Sequence, residues 1–199
     1  MRTIVGATIT IALLVGIVLT RPAAADDKPR LDVPYVPTKP VVVEAMLKLA
    51  NVKEGDVVYD LGCGDGRIVI TAVEKFKAKR GVGIDLDPER IKDCQANLKK
   101  ALDEKRLTPE QAQSLTFKQG DVLKLQPEDL KDVDVVTLYL LPDINRKLKP
   151  ILQKGLKDGA RVVSHDFDMG DDWKEDKKEE VMSDRPYTHT IYLWTIKKK

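Results

Sequence analysis

Apolar positions recur along this chain with two periods. Short runs of β-branched and aromatic residues alternate with longer segments whose apolar residues fall three and four apart. Asp56–Leu61, Gly81–Asp85, Leu115–Gln119, Val135–Leu141 and Ala160–His165 read as strands. Val41–Ala50 reads as a helix with Val42, Ala45, Met46 and Leu49 on one face, and Ile68 to Phe76 as a second. Asp87-Pro88-Glu89 opens a third, with Asp87 as cap and Ile91, Cys94, Leu98 and Leu102 as its buried stripe. Thr108-Pro109-Glu110-Gln111 marks a short capped helix, and Pro142-Asp143 starts another that Pro150 should interrupt. Glu180–Ser183 and Thr188–Ile196 form a last strand pair around Asp184-Arg185-Pro186. Strands alternating with helices, then a terminal pair, predict an α/β fold. The expected form is a three-layer doubly wound sandwich with a mostly parallel seven-stranded sheet and an antiparallel C-terminal strand pair.

The N-terminus departs from this pattern. Arg2 precedes an uncharged run from Thr3 to Thr20, and Ala23-Ala24-Ala25 precedes Asp26-Asp27. A basic start, an apolar stretch and a small-residue site predict a signal peptide cleaved after Ala25 and an exported or periplasmic protein. The rival is an uncleaved anchor through residues 3–20, which is long enough to reach across a bilayer. Arg21, Lys28 and Arg30 on its C-terminal side would then lean toward a cytoplasmic domain. The organisation expected is a signal or anchor at 1–25, a proline-rich lead-in at 26–40 and one domain at 41–199.

The strand at Asp56–Leu61 runs into Gly62-Cys63-Gly64-Asp65-Gly66-Arg67 and then into a helix. Strand, glycine turn and helix make a cofactor cradle, because glycine lets backbone approach a ligand closely. A dinucleotide site wants G-x-G-x-x-G, and counting from Gly62 its third glycine falls on Arg67. That disfavours a nicotinamide oxidoreductase. The pattern is Asp60-x-Gly-x-Gly-x-Gly, and it resembles the class I S-adenosylmethionine (SAM) methyltransferases. SAM carries an ammonium and a sulfonium in place of a pyrophosphate, and a carboxylate such as Asp60 suits that cationic end. Asp85, at the end of the second strand, stands where a nucleoside ribose is held by its hydroxyls.

The resemblance spans roughly Tyr35 to Ile196. Pro34-Tyr35-Val36-Pro37-Thr38, the stretch Asp60–Ile70, and Ala160-Arg161-Val162-Val163 leading to Trp173 are similar to the small lysine N-methyltransferases related to the ATP synthase c-subunit methyltransferases. It implies SAM as cofactor, held by Asp60, Gly62, Cys63, Gly64 and Gly66, by Asp85 and Leu86, and by Asp121 and Val122, with Asp121 accepting from the adenine amino group. Tyr35 and Thr38 belong to the same site if the stiff proline segment folds over the sheet edge as a lid.

The expected acceptor is a protein lysine or another amine. The stretch Thr137–Pro142 lacks the Asn-Pro-Pro-Tyr of amide and base methylases, which argues against those substrates. Open α/β sheets bind ligands at the carboxyl ends of their strands, so Tyr139, Pro142, His165 and Asp166 are the catalytic candidates. Small-molecule methylation, and SAM binding without methyl transfer, remain open alternatives.

Charge and composition narrow the field further. Net charge is +2, and removing residues 1–25 leaves 32 basic against 32 acidic residues, so no electrostatic case for nucleic acid exists. Two cysteines, Cys63 and Cys94, build neither a disulfide framework nor a metal site. His165-Asp166 has no second pair at ligand spacing, so no metal is expected. His189 and Trp194 on the last strand read as structural. The expected oligomeric state is a monomer.

Overall fold

The computed structural model describes residues 35–184 and 186–198. The expected signal or anchor segment and the lead-in before Tyr35 lie outside the described residues. Seven strands form one sheet: β1 Val57–Leu61, β2 Arg80–Asp85, β3 Leu115–Gln119, β4 Val135–Leu138, β5 Arg161–His165, β6 Lys177–Asp184 and β7 Tyr187–Thr195. Their order is β3-β2-β1-β4-β5-β7-β6, and only β7 runs antiparallel to its neighbours β5 and β6. This is the expected architecture.

The helices are α1 Pro40–Leu49, α2 Arg67–Phe76, α3 Pro88–Asp103, α4 Pro109–Gln113 and α5 Pro142–Gly155. One apolar core lies between the sheet and α1–α3, with Val42, Met46, Leu47, Val69 and Val73 fully buried. A second core lies on the opposite face, where Ile144, Leu148 and Leu152 of α5 meet Leu138, Val162 and Trp194. Each strand of the centre is therefore apolar on both sides, as parallel strands covered by helices must be.

The caps form as their sequences dictate. Glu89 N–H donates to Asp87 Oδ1 at 2.9 Å, and Thr108 and Gln111 close a reciprocal capping box. Three elements differ from expectation. α1 starts one residue early, because Pro40 occupies the first helical position, where a missing N–H costs nothing. α5 runs through Pro150 without interruption. Pro150 lies on the exposed face, so the carbonyl it leaves unpaired four residues back, at exposed Arg146, is open to water. β4 ends at Leu138, three residues short of the predicted strand, and Tyr139–Leu141 turn out of the sheet toward α5.

The chain crosses from β1 to β2 and β3 on one side and to β4 and β5 on the other. The sheet order therefore reverses between β1 and β4, and a crevice opens at their carboxyl ends. The glycine turn leaves β1 there, and Tyr139 leaves β4 beside it.

Candidate active site

A cavity of about 270 Å³ occupies this crevice. Asp60, next to last in β1, lies at the cavity floor, 1% exposed. Its Oδ1 accepts from Thr137 Oγ1 at 2.6 Å, while Oδ2 is buried without a hydrogen-bond partner among the described residues. Burial pushes the Asp60 carboxyl up to about 7; the Thr137 hydrogen bond opposes this, and the carboxylates of Asp85 and Asp65 add to it. A buried acid with a bare oxygen facing a cavity is costly to the fold unless something cationic meets it.

The glycine turn forms the cavity's rim. Gly62 and Gly64 have φ of +80° and +53°, in the left-handed region. A Cβ on Gly62 would sit 2.5 Å from Leu140 Cδ2, and one on Gly64 would sit 2.3 Å from Tyr35 Cε2. At both positions a side chain would strain the backbone and displace a neighbouring side chain. Gly64 N–H donates to Asp85 Oδ2 at 2.8 Å, and Asp87 N–H donates to Oδ1 at 2.9 Å. Burial raises the Asp85 carboxyl above its usual range, against the pull of these two donors. The thiols of Cys63 and Cys94 lie 3.8 Å apart beneath the turn, and Cys94 Sγ donates to the Gly64 carbonyl.

The proline segment before α1 lies over this rim. Tyr35 packs on Gly64, and the Arg90 guanidinium stacks 4.6 Å from the Tyr35 ring centre. The Thr38 carbonyl accepts from Arg67 at 2.9 Å, and Asp65 holds the same guanidinium through Oδ1 at 2.8 Å and Oδ2 at 2.5 Å. Thr38 is buried, with Oγ1 3.2 Å from His165 Nδ1. Tyr35 and Thr38 therefore share one cavity with Asp60, Asp85, Asp121 and Tyr139, although they precede the glycine motif in the chain.

At the far wall, the rings of Tyr139 and Phe167 stand stacked with centres 6.2 Å apart. Burial, then the nearby Asp166 carboxylate, pushes the Tyr139 hydroxyl above its ordinary pKa. His165 sits behind Tyr139 with ring centres 3.9 Å apart and is 1% exposed. Burial lowers its imidazole to about 4; Asp166 opposes the shift and His189 adds to it. The ring is thus neutral at ordinary pH.

The chain's sequence similarities agree with this cradle. A family profile described as the ANTKMT methyltransferase domain matches residues 60–177. A protein-lysine N-methyltransferase of Saccharolobus islandicus is 43% identical over 164 residues, covering 82% of this chain and 94% of that one. The adenine nucleotide translocase lysine N-methyltransferase of Mus musculus is 32% identical over 140 residues, 70% of this chain and 56% of that protein. A crystal structure titled RNA methyltransferase from Salinibacter ruber, in complex with S-adenosyl-L-homocysteine, superposes with a TM-score of 0.70 at 45% identity, covering 82% and 95% of the two chains.

The chain belongs to the ANTKMT methyltransferase domain family. It is a SAM-dependent methyltransferase. The residues present fit that cofactor: the glycine turn lines the cavity, and Asp60 at its floor carries a carboxyl oxygen with no hydrogen-bond partner among the described residues. Gly62, Cys63, Gly64, Asp85, Leu86, Asp121 and Val122 line the methyltransferase cavity together with Asp60, Tyr35, Thr38 and Tyr139. Gly66 is not part of the lining; it caps α2. Pro142 starts α5 beside the cavity, and His165 and Asp166 stand behind the Tyr139 wall. Sequence reasoning missed Arg90 and Phe167. Arg90 lies half-buried in the first turn of α3 with no motif to flag it, and Phe167 lies inside a polar stretch.

Proposed function

We propose that the methyltransferase transfers its methyl group to an amine nitrogen, that of a protein lysine. The observation that carries this reading is the pair of rings, Tyr139 and Phe167, lining the cavity at the carboxyl ends of β4 and β5. Aromatic faces attract a cationic side-chain head and pack along an alkyl stem. The lysine methyltransferases among the relatives support the same acceptor. The near-neutral charge of residues 26–199 weighs against a polyanion, whose binding rests on an excess of Lys and Arg.

In this reading Asp60 meets the cofactor's ammonium, Asp85 its ribose hydroxyls and Asp121 its adenine amino group, while the glycine turn admits its amino-acid end. When bound, SAM supplies a methyl group already activated on its sulfonium. Methyl transfer then depends on alignment and on exclusion of water, so orientation supplies most of the rate. Tyr35 and Thr38 cover the cradle, and the Tyr139 and Phe167 rings hold the acceptor side chain in line. An ammonium acceptor must lose its proton before it attacks. In this reading the Tyr139 hydroxyl oxygen accepts a hydrogen bond from the ammonium, which releases its proton to water before the nitrogen attacks.

The test is incubation of the full chain with methyl-labelled SAM and separate protein, RNA and small-molecule fractions of a cell extract. Protease-sensitive label recovered as methyl-lysine is expected. Label in RNA that ribonuclease removes, or in small molecules alone, would overturn the lysine reading.

A further inference from the structure

The chain contains only two histidines, 24 positions apart in sequence, and the sheet brings them together. β5 ends at His165 and pairs antiparallel with β7, which carries His189. The two rings meet edge to face with centres 4.7 Å apart, and Asp166 lies between them. Asp166 Oδ2 is 3.0 Å from His189 Nδ1 and 3.4 Å from His165 Nε2, and all three atoms lie within 4.8 Å of one another. We propose that His165, Asp166 and His189 form a binding site for a divalent transition-metal ion of the zinc class.

Three observations carry the proposal. His165 Nε2 is buried and has no hydrogen-bond partner, yet it faces the carboxylate. An unpaired buried nitrogen is costly, and a metal would satisfy it. The spacing is also that of a coordination shell. Two ligand atoms bound to one tetrahedral zinc at about 2.0–2.1 Å lie about 3.3 Å apart. The two His–Asp166 distances, 3.0 and 3.4 Å, bracket that edge, and the two imidazole nitrogens, within 4.8 Å of one another, would have to draw closer around the ion. Finally, the outer nitrogens are already held. His165 Nδ1 is 3.2 Å from Thr38 Oγ1, and His189 Nε2 is 3.1 Å from Ser183 Oγ. A ligating imidazole uses such a partner on its other nitrogen to fix tautomer and ring orientation. Asp166 is oriented too: its Oδ1 accepts from Thr190 N–H at 3.0 Å, and its φ of +59° turns the carboxylate back toward β7.

Two neutral imidazoles and one carboxylate suit zinc, with a water in the fourth position. Asp166 and His189 are partly exposed and leave an entry path. The ion would lock the proton of His165 on Nδ1, toward Thr38, and so tie the segment over the cofactor cradle to the end of the sheet. The rival arrangement is a cluster joined by protons alone, with His189 Nδ1 donating to Asp166.

The experiment titrates Zn²⁺ into the chelator-stripped full chain by calorimetry, and repeats it with Co²⁺ while following visible absorption. One ion per chain and a cobalt spectrum of low coordination number are expected. His189→Asn should weaken Zn²⁺ binding at least about 100-fold, and Ser183→Ala about 10- to 100-fold, the range for an outer partner. Asp166→Asn serves as a second ligand variant, since Asn tolerates the same positive φ; circular dichroism verifies that each variant is folded. Absence of stoichiometric binding would overturn the site and leave the proton-joined cluster. So would binding that survives His189→Asn and Asp166→Asn, or binding lost instead in Cys63→Ser/Cys94→Ser.

Discussion

Replacing Gly64 by alanine tests whether the turn is held open by design of shape. The backbone there has φ of +53°, and an L side chain in that region costs about 1–2 kcal/mol. The new Cβ would sit 2.3 Å from Tyr35 Cε2, too close for any real contact, so the ring must leave. Tyr35 is 41% exposed and can swing outward, which surrenders its stack on Arg90, worth about 0.5–1 kcal/mol at a surface site. The expected loss of stability without cofactor is therefore roughly 1.5–3 kcal/mol. SAM affinity should fall at least tenfold, about 1.4 kcal/mol, since the displaced Tyr35 ring is part of the cavity lining. Urea melts measure the first quantity and calorimetric titration with SAM the second. In a Tyr35→Ala background the clash is gone, so Gly64→Ala should cost only its backbone part. A coupling energy of at least about 0.5 kcal/mol between the two changes is expected. Loss of less than about 0.5 kcal/mol in stability, together with SAM affinity within about threefold of wild type, would refute the reasoning.

Asp60→Asn should make the methyltransferase more stable at pH 8 while weakening SAM binding. The folded carboxyl sits near 7 against 3.8 unfolded, so the folded state binds the extra proton and stability falls as pH rises from about 4 to 7, by up to about 4 kcal/mol. The variant's urea-melt profile over that range should be flatter; a parallel profile would mean that the shift is not real. SAM should bind more tightly as pH rises from 6 toward 8 and should displace a proton from Asp60. Calorimetry in buffers of different ionisation enthalpy counts that proton, and an equal count in Asp60→Asn would contradict the assignment. Asp85→Ala removes the acceptor of two turn N–H groups and should weaken SAM by about 1.5–3 kcal/mol; an unchanged dissociation constant would make Asp85 a scaffold residue alone.

Local signals carried most of the fold into view. The five parallel strands, the caps at Asp87 and Thr108 and the closing strand pair are each specified within a few residues, so propensity and spacing suffice. The cofactor cradle was legible for the same reason, because Asp60 and the glycines are contiguous. What stayed hidden depends on pairing across the sheet. Asp60's partner Thr137 is 77 residues away, and His165 meets Thr38 across 127 residues. The meeting of His165 with His189 is set by the register of β5 on β7, which no local pattern states. Pro150 misled because its effect on a helix depends on which face it occupies. Tyr139–Leu141 misled because an apolar run reads as strand whether it continues the sheet or lines a cavity.

Arg67 joins two facts that look separate in the sequence. It stands where a dinucleotide fold needs its third glycine, which disfavours nicotinamide cofactors. In the folded chain it does positive work. Its guanidinium is gripped by Asp65 through both carboxylate oxygens, and its remaining nitrogen donates to the Thr38 carbonyl. A planar, permanently charged fork can hold a carboxylate and a backbone carbonyl at once, which lysine cannot. The segment so fastened places Tyr35 on Gly64 and Thr38 against His165. The residue that bars the dinucleotide packing thus also clasps the strip that covers the cradle. Asp65 therefore acts as an anchor for Arg67, and its two bonds explain an acid in a turn that lies close to Asp60 and Asp85.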